Sequence, residues 1–277
     1  MSSGLNKGTF AAFNPQAPIF EEIKKQQPEW WEIFRNDKEL YIHIRKDNYI
    51  NIYYYGESVA KIEFKNGDFS AKIHKKYFPF ESDLSNVAKK RDYIKVNMRD
   101  IVKNLKCIKD KIKTHYSDWN QKSEKPKESW VQGKLILKYP NKYIDSQFAY
   151  KGEKLRIDLI ELSPDGELSF TELKLLYDGR LKSEIIDQIK TYKKFVSDKK
   201  PSIIVKYYEN LIQVRKDLQL YTPLTSNTKI TLNPTINLLI IDTYKKDNEE
   251  RKTRTENIKK MLENHKIKNE VKHLSKI

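Results

Sequence analysis

The sequence predicts an α/β chain, α+β overall, in which a β-meander and a long helix precede a mixed central sheet flanked by helices. Three observations carry this reading. KELYIHI, YINIYYY, SVAKIEF and FSAKIHKKYF are four short runs rich in β-branched and aromatic residues, the composition of half-buried strands. From Asn97 onward, Met98, Ile101, Leu105, Ile108 and Ile112 recur at 3–4–3–4 spacing, the period of a helix face. Beyond a polar stretch at 117–128, helical and strand patterns alternate, and INLLIID at 236–242 is continuously apolar, as a strand buried on both faces must be.

Taken in order, 18–34 reads as a short helix interrupted by Pro28, because proline removes a backbone donor and clashes with the preceding turn. The four strand runs are separated by KDN, GE and KNGD, turn chemistry that makes them an antiparallel meander. Asn97 followed by Asp100 supplies a cap for a helix of about five turns. SDWNQKSEKPKE is the predicted boundary between an N-terminal domain, 1–118, and a second domain, 119–277. In the latter a helix begins near Ser123–Lys127, with strands at about 146–150, 155–162 and 168–176. Helices at about 183–197 and 201–218, the apolar strand, a helix at about 248–266 and a last strand near 270–275 complete the chain.

Composition narrows the class. The chain has 277 residues, 38% hydrophobic and 33% charged, enough apolar material for a core and against wholesale disorder. A lone Cys107 excludes an internal disulfide and a cysteine zinc cluster, and His43, His74, His115, His265 and His273 show no metal-ligand spacing. The first twenty residues lack the charged-then-apolar layout of a signal peptide, and the longest apolar run is too short to span a bilayer, so a cytoplasmic protein without a membrane partner is expected. A formal net charge of +16, with 17 Tyr, 11 Phe and 4 Trp, favours a polyanionic partner and offers rings for stacking bases. Lys89, Lys90 and Arg91, with Lys103, Lys106, Lys109, Lys111 and Lys113, would either track a phosphate backbone or form a solvated face. Tyr53, Tyr54 and Tyr55 alternate faces, so only some of them would be free to stack.

The stretch LRIDLIELSPDGELSFTELKLL at 155–176 places five carboxylates, Asp158, Glu161, Asp165, Glu167 and Glu172, in a basic chain. Ser163-Pro164-Asp165-Gly166 suits a type I turn closed by a glycine bulge. Counting back from it, Leu162 faces Leu168, Ile160 faces Phe170, Asp158 faces Glu172 and Arg156 faces Lys174. Asp158, Glu172 and Lys174 therefore share one face, Glu161 points to the other, and Asp165 and Glu167 sit at the turn. Like charges directly opposed are destabilising. Two compensations stay open on geometry alone: salt bridges from Lys174 and Arg156, or a divalent cation such as Mg²⁺, which takes one or two carboxylates and keeps waters for phosphate.

Asp158 followed by Glu172-Leu173-Lys174 on the next strand resembles the D…ExK core of the PD-(D/E)XK nuclease superfamily. Gln188-Ile189-Lys190-Thr191-Tyr192 is similar to the QxxxY element of its RecB-like branch, and Glu128 in ESWVQGKLI to the acid on the helix preceding the core strands. The resemblance covers roughly 120–277. Ile157, rather than proline, precedes Asp158, and the literal Pro164-Asp165 belongs to the turn. The resemblance implies a restriction-endonuclease-like core and a metal-dependent nuclease acting on nucleic acid, DNA first, in restriction, defence or DNA processing. It implies Mg²⁺ or Mn²⁺ held by Asp158, Glu172 and the Leu173 carbonyl, with Glu128 completing the shell or holding a second ion. Lys174 would position or help deprotonate a water, and Gln188 and Tyr192 would present a hydrogen-bonding face toward the metal site or a nearby phosphate. Plainer roles stand beside these: Lys174 as ion-pair partner of Glu172, Tyr192 on a core stripe with Ile185, Ile189 and Val196, Gln188 as a surface residue, and Glu128 as a helix-start acid. The alternative is a catalytically inactive nuclease-fold module that binds nucleic acid or a protein. No motif assigns the N-terminal domain a role, and a homodimer is compatible with the sequence.

Overall fold

A computed structural model of the chain describes residues 10–79, 92–123, 126–150, 155–199, 201–225, 228–244 and 249–277. Two compact units emerge, Met1–Leu137 with Asn210–Tyr221, and Lys138–Glu209 with Thr222–Ile277. The architecture is α+β, with an antiparallel sheet in the first unit and a mixed sheet flanked by helices in the second. Among the described residues no helix is long and apolar enough to cross a membrane.

In the first unit Pro28 separates α1 (Pro18–Gln26) from α2 (Glu29–Asn36) as the sequence predicts, with the proline at the N-cap of α2. Strands β1 (Tyr41–Arg45), β2 (Tyr49–Tyr54), β3 (Glu57–Lys65) and β4 (Asp68–His74) form the expected meander. A fifth strand, β5 (Tyr93–Val96), extends it on β4. One face of the sheet is apolar, with Ile44, Ile50, Ile52, Ile62, Ala71, Ile73 and Ile94 buried. The helix expected from Asn97 to Ile112 is two helices, α3 (Met98–Lys103) and α4 (Leu105–Ser123). They part at Asn104, whose backbone leaves the helical region and whose side chain donates to the Asp100 carbonyl. Such local side-chain bonding competes with the helix ladder. The 3–4 spacing runs on across the break because Ile101, Ile108 and Ile112 are all buried. Helix α5 (Glu128–Lys138) passes so close to the β2–β3 turn that a Cβ on Gly133 would meet the Gly56 nitrogen at 2.7 Å.

The second unit carries the order β10-β9-β8-β7-β6. Strands β6 (Tyr143–Tyr150) and β8 (Glu167–Leu175) each pair antiparallel with β7 (Leu155–Leu162). β9 (Thr231–Asp242) and β10 (Asn269–His273) run parallel to β8. Helices α6 (Glu184–Lys194), α7 (Pro201–Asp217) and α8 (Glu249–Asn264) complete the elements, α7 reaching into the segment grouped with the first unit. The apolar run of β9 is buried from Leu238 to Asp242. The strand starts earlier than its sequence signal, at Thr231, and takes in Pro234 where the ladder with β8 is irregular, a place where a missing donor costs little.

The β7–β8 turn forms as predicted. The Gly166 amide donates to the Ser163 carbonyl at 3.0 Å, the Glu167 amide to the Ser163 hydroxyl at 2.9 Å, and Ser163 pairs with Glu167. Gly166 has φ +91°, and a Cβ there would meet the Lys229 carbonyl oxygen at 2.3 Å. Gly166→Ala therefore costs the left-handed penalty of about 1–2 kcal/mol plus the clash. Thermal denaturation should show a Tm lower by at least about 4 °C.

Candidate functional site

Turn geometry carries the register into the site. The β7–β8 ladder pairs Leu162 with Leu168, Ile160 with Phe170 and Leu159 with Thr171. One step further, Asp158 Oδ2 accepts the Leu173 amide at 3.0 Å. A side chain thus takes a donor at the end of the ladder, and the Asp158 carboxylate is anchored against the strand that carries Glu172. On the other side of β8, Glu172, Leu173 and Lys174 pair with Leu238, Leu239 and Ile240 of β9. The segment is held from both sides and its side chains are buried: Glu172 and Lys174 are each 1% exposed.

Lys174 is the centre of the arrangement. Its ammonium bonds Glu172 Oε1, donates to the Leu173 carbonyl at 2.9 Å, and lies 3.9 Å from Asp158 Oδ2. Three oxygens, from Asp158, Glu172 and Leu173, converge on one positive charge. Arg156, whose side chain is exposed, adds only a longer-range pull on Asp158. Burial pushes the Asp158 carboxyl above the usual carboxylate range, against the Lys174 charge, the Leu173 amide and the Arg156 charge, which all act the other way.

Helix α6 supplies the surrounding frame. Gln188 Nε2 donates to Glu172 Oε1 at 2.7 Å and lies 2.6 Å from the Tyr192 hydroxyl, which donates to the Arg156 carbonyl at 2.6 Å. The two residues are one turn apart, so they share a helix stripe and reach β8 and β7 together. Burial and the Glu172 charge raise the Tyr192 phenol, which keeps it a hydrogen-bond donor. Tyr192 is also core, 4% exposed beside buried Ile185, Ile189 and Val196. The packing reading of this side chain holds, and its hydroxyl is bonded within the cluster.

The remaining residues singled out by the sequence are placed as follows. Glu161 faces away from Lys174, accepting from Thr171 at 2.6 Å and pairing with Lys142 at 3.1 Å. Asp165 and Glu167 are exposed at the turn. Glu128 opens α5, which groups with the first unit. Lys89, Lys90 and Arg91 lie outside the described residues. Of the helix lysines, Lys109 is committed to Asp37 and Glu39 and Lys111 to the Phe78 carbonyl, while Lys103, Lys106 and Lys113 are exposed. Tyr53 and Tyr54 are buried, and Tyr55 is stacked on Trp130 at 6.3 Å, so none of the three is an open platform. Among the described residues two buried acids were not singled out in the sequence, Asp242, which pairs with Arg251, and Asp145. Asp145 is paired opposite Ile160 on β6, 3.5 Å from the Tyr208 hydroxyl; the strand signal begins only after it.

Among the described residues no group of three or more His, Cys, Asp or Glu side chains could hold a metal. Two carboxylates and a carbonyl are nonetheless the sparse oxygen set that leaves an ion open to water and phosphate. Comparison with family models, with curated proteins and with solved structures returns no match at all.

The two carboxylates should respond oppositely to neutralisation in EDTA. Asp158 has a raised folded-state pKa, so its stabilising contribution is complete below the unfolded value of 3.8 and is lost as pH rises through the raised one. Asp158→Asn should therefore raise Tm at pH 7, an advantage that vanishes in acid. Glu172→Gln strands a buried ammonium and should cost about 3 kcal/mol. Thermal denaturation against pH reads both.

Proposed function

We propose that the chain is a Mg²⁺- or Mn²⁺-dependent nuclease with a restriction-endonuclease-like core of the PD-(D/E)XK type. The observation that carries this is the convergence of Asp158, Glu172 and the Leu173 carbonyl on a buried cationic centre, now the Lys174 ammonium. In this reading those three oxygens would hold the divalent ion. Bound there, the ion supplies charge neutralisation at the scissile phosphate and acidifies a water. Lys174, freed from the carboxylates, would orient the water or offset negative charge developing on the reacting phosphate. Gln188 fixes the rotamer of Glu172, and Tyr192 fixes Gln188 against the Arg156 carbonyl. These are positioning roles, one step back from the metal or phosphate contact the motif suggests. DNA is the proposed substrate, with restriction, defence or DNA processing as the setting.

A second reading has its own observation. Because Lys174 already pairs with Glu172 and lies 3.9 Å from Asp158, whose carboxyl burial pushes towards its neutral form, the cluster can stand as a buried ion group without a metal, and the fold would serve as a noncatalytic binding module. Cleavage assays separate the two. Purified chain incubated with single- and double-stranded DNA and RNA in Mn²⁺ should cut at least one of them. EDTA and Asp158→Ala should each abolish cutting, and Gln188→Ala should slow it by about 10- to 100-fold through disorder of Glu172. Cutting that survives both EDTA and Asp158→Ala would sink the nuclease assignment, and no cutting in any condition favours the module.

A further inference from the structure

The polar face of the first sheet carries an unusual alignment. Lys61 pairs with Lys72, and Lys72 with Lys95, so three lysines on β3, β4 and β5 stand side by side on one face. Adjacent like charges of this kind are destabilising unless an anion answers them. Glu63 answers in part, 3.3 Å from Lys61, 3.1 Å from Lys65 and 2.8 Å from Lys72. Burial alone would raise its carboxyl, yet hydrogen bonds from Lys72 and Lys65 and the charge of Lys61 bring it down to about 2. One carboxylate is thus shared among three ammonium groups. Lys95 is exposed, and among the described residues no carboxylate pairs with it.

Aromatic rings flank the same row. Tyr93 lies two residues before Lys95 on the same face of β5, is 54% exposed, and meets His74 edge-on at 5.3 Å. Tyr49 carries the Lys61 ammonium 4.0 Å over its ring. The β1–β2 end of the face is closed by contrast. Tyr41 stacks on Tyr53, His43 is buried beside them, and Arg45 and Asn51 donate to the Tyr53 hydroxyl at 2.6 and 2.8 Å. Positive charge in excess and an open ring therefore coincide at the β3–β5 end.

We propose that this end of the face, Tyr93 and Lys95 with Lys72 and Lys61, binds single-stranded nucleic acid. The ammonium groups neutralise phosphates, and Tyr93 receives the face of an unstacked base. A duplex keeps its base faces covered and leaves Tyr93 unused. An acidic peptide would engage the lysines but not the ring. The inference rests on the nucleic-acid reading for its choice of polyanion and does not require cleavage.

The test is fluorescence anisotropy of a labelled oligothymidylate on the full chain in EDTA over a series of salt concentrations. Lys72→Gln with Lys95→Gln should reduce the slope of log K against log salt by about 1.4, at about 0.7 per phosphate contact on a single strand. Lys95→Gln alone, at an exposed position, should reduce it by about 0.7. Tyr93→Ala should weaken binding about tenfold and leave the slope unchanged. Unchanged affinity and slope in these variants overturns the proposal, as does duplex binding equal to single-strand binding or equal competition by polyglutamate. Because binding is read without metal, its outcome is independent of whether the chain cuts.

Discussion

One ammonium group organises the second unit. Lys174 is buried where water cannot solvate it, and it is tolerable there because Glu172 and the Leu173 carbonyl bond it, with Asp158 3.9 Å away. The dependence is mutual. Two carboxylates brought to neighbouring strands repel unless a cation lies between them, so the register of β7 and β8 demands a positive charge at this point. Everything nearby serves that geometry. Gly166 closes the turn that sets the register, β9 holds β8 from the far side, and Gln188 and Tyr192 tie helix α6 to Glu172 and to β7.

Such a cluster is costly as a stabilising device. Replacing a buried ion group by apolar side chains is often neutral or favourable, so burial of three charges calls for another reason. The raised pKa of Asp158 says the same in a different way, because its ionised form is disfavoured by the site as it stands. A divalent ion would relieve that cost more fully than a monovalent ammonium. The ammonium in turn gains a use once displaced, next to a phosphate. This is the physical content of the nuclease proposal, and it stands without support from any relative.

Much of this was legible in the sequence, for identifiable reasons. Ser163-Pro164-Asp165-Gly166 has one favourable turn, and period two then decides which acids share a face with Lys174. The 3.6 period likewise put Gln188 and Tyr192 on one stripe. What was not legible lies in rotamers and in short signals. Period two places Lys174 on the face of Asp158 but does not say that its ammonium folds back onto both carboxylates and the Leu173 carbonyl. The shared stripe of Gln188 and Tyr192 does not say which atoms they bond, which are Glu172 and the Arg156 carbonyl. Asn104 breaks a helix whose apolar spacing continues undisturbed. The four residues of β5 are too few for a periodic signal of their own, and they acquire meaning only by pairing with β4, which also creates the lysine row.

The central claim is that Asp158, Glu172 and the Leu173 carbonyl form a cation site for which Lys174 is the present occupant. Calorimetric titration of Mn²⁺ onto the full chain and onto Lys174→Met tests it most directly. Binding should appear in both, tighter in Lys174→Met because no ammonium has to be displaced, and should disappear when Glu172→Gln is added. Absence of Mn²⁺ binding to both the parent chain and Lys174→Met would contradict the account.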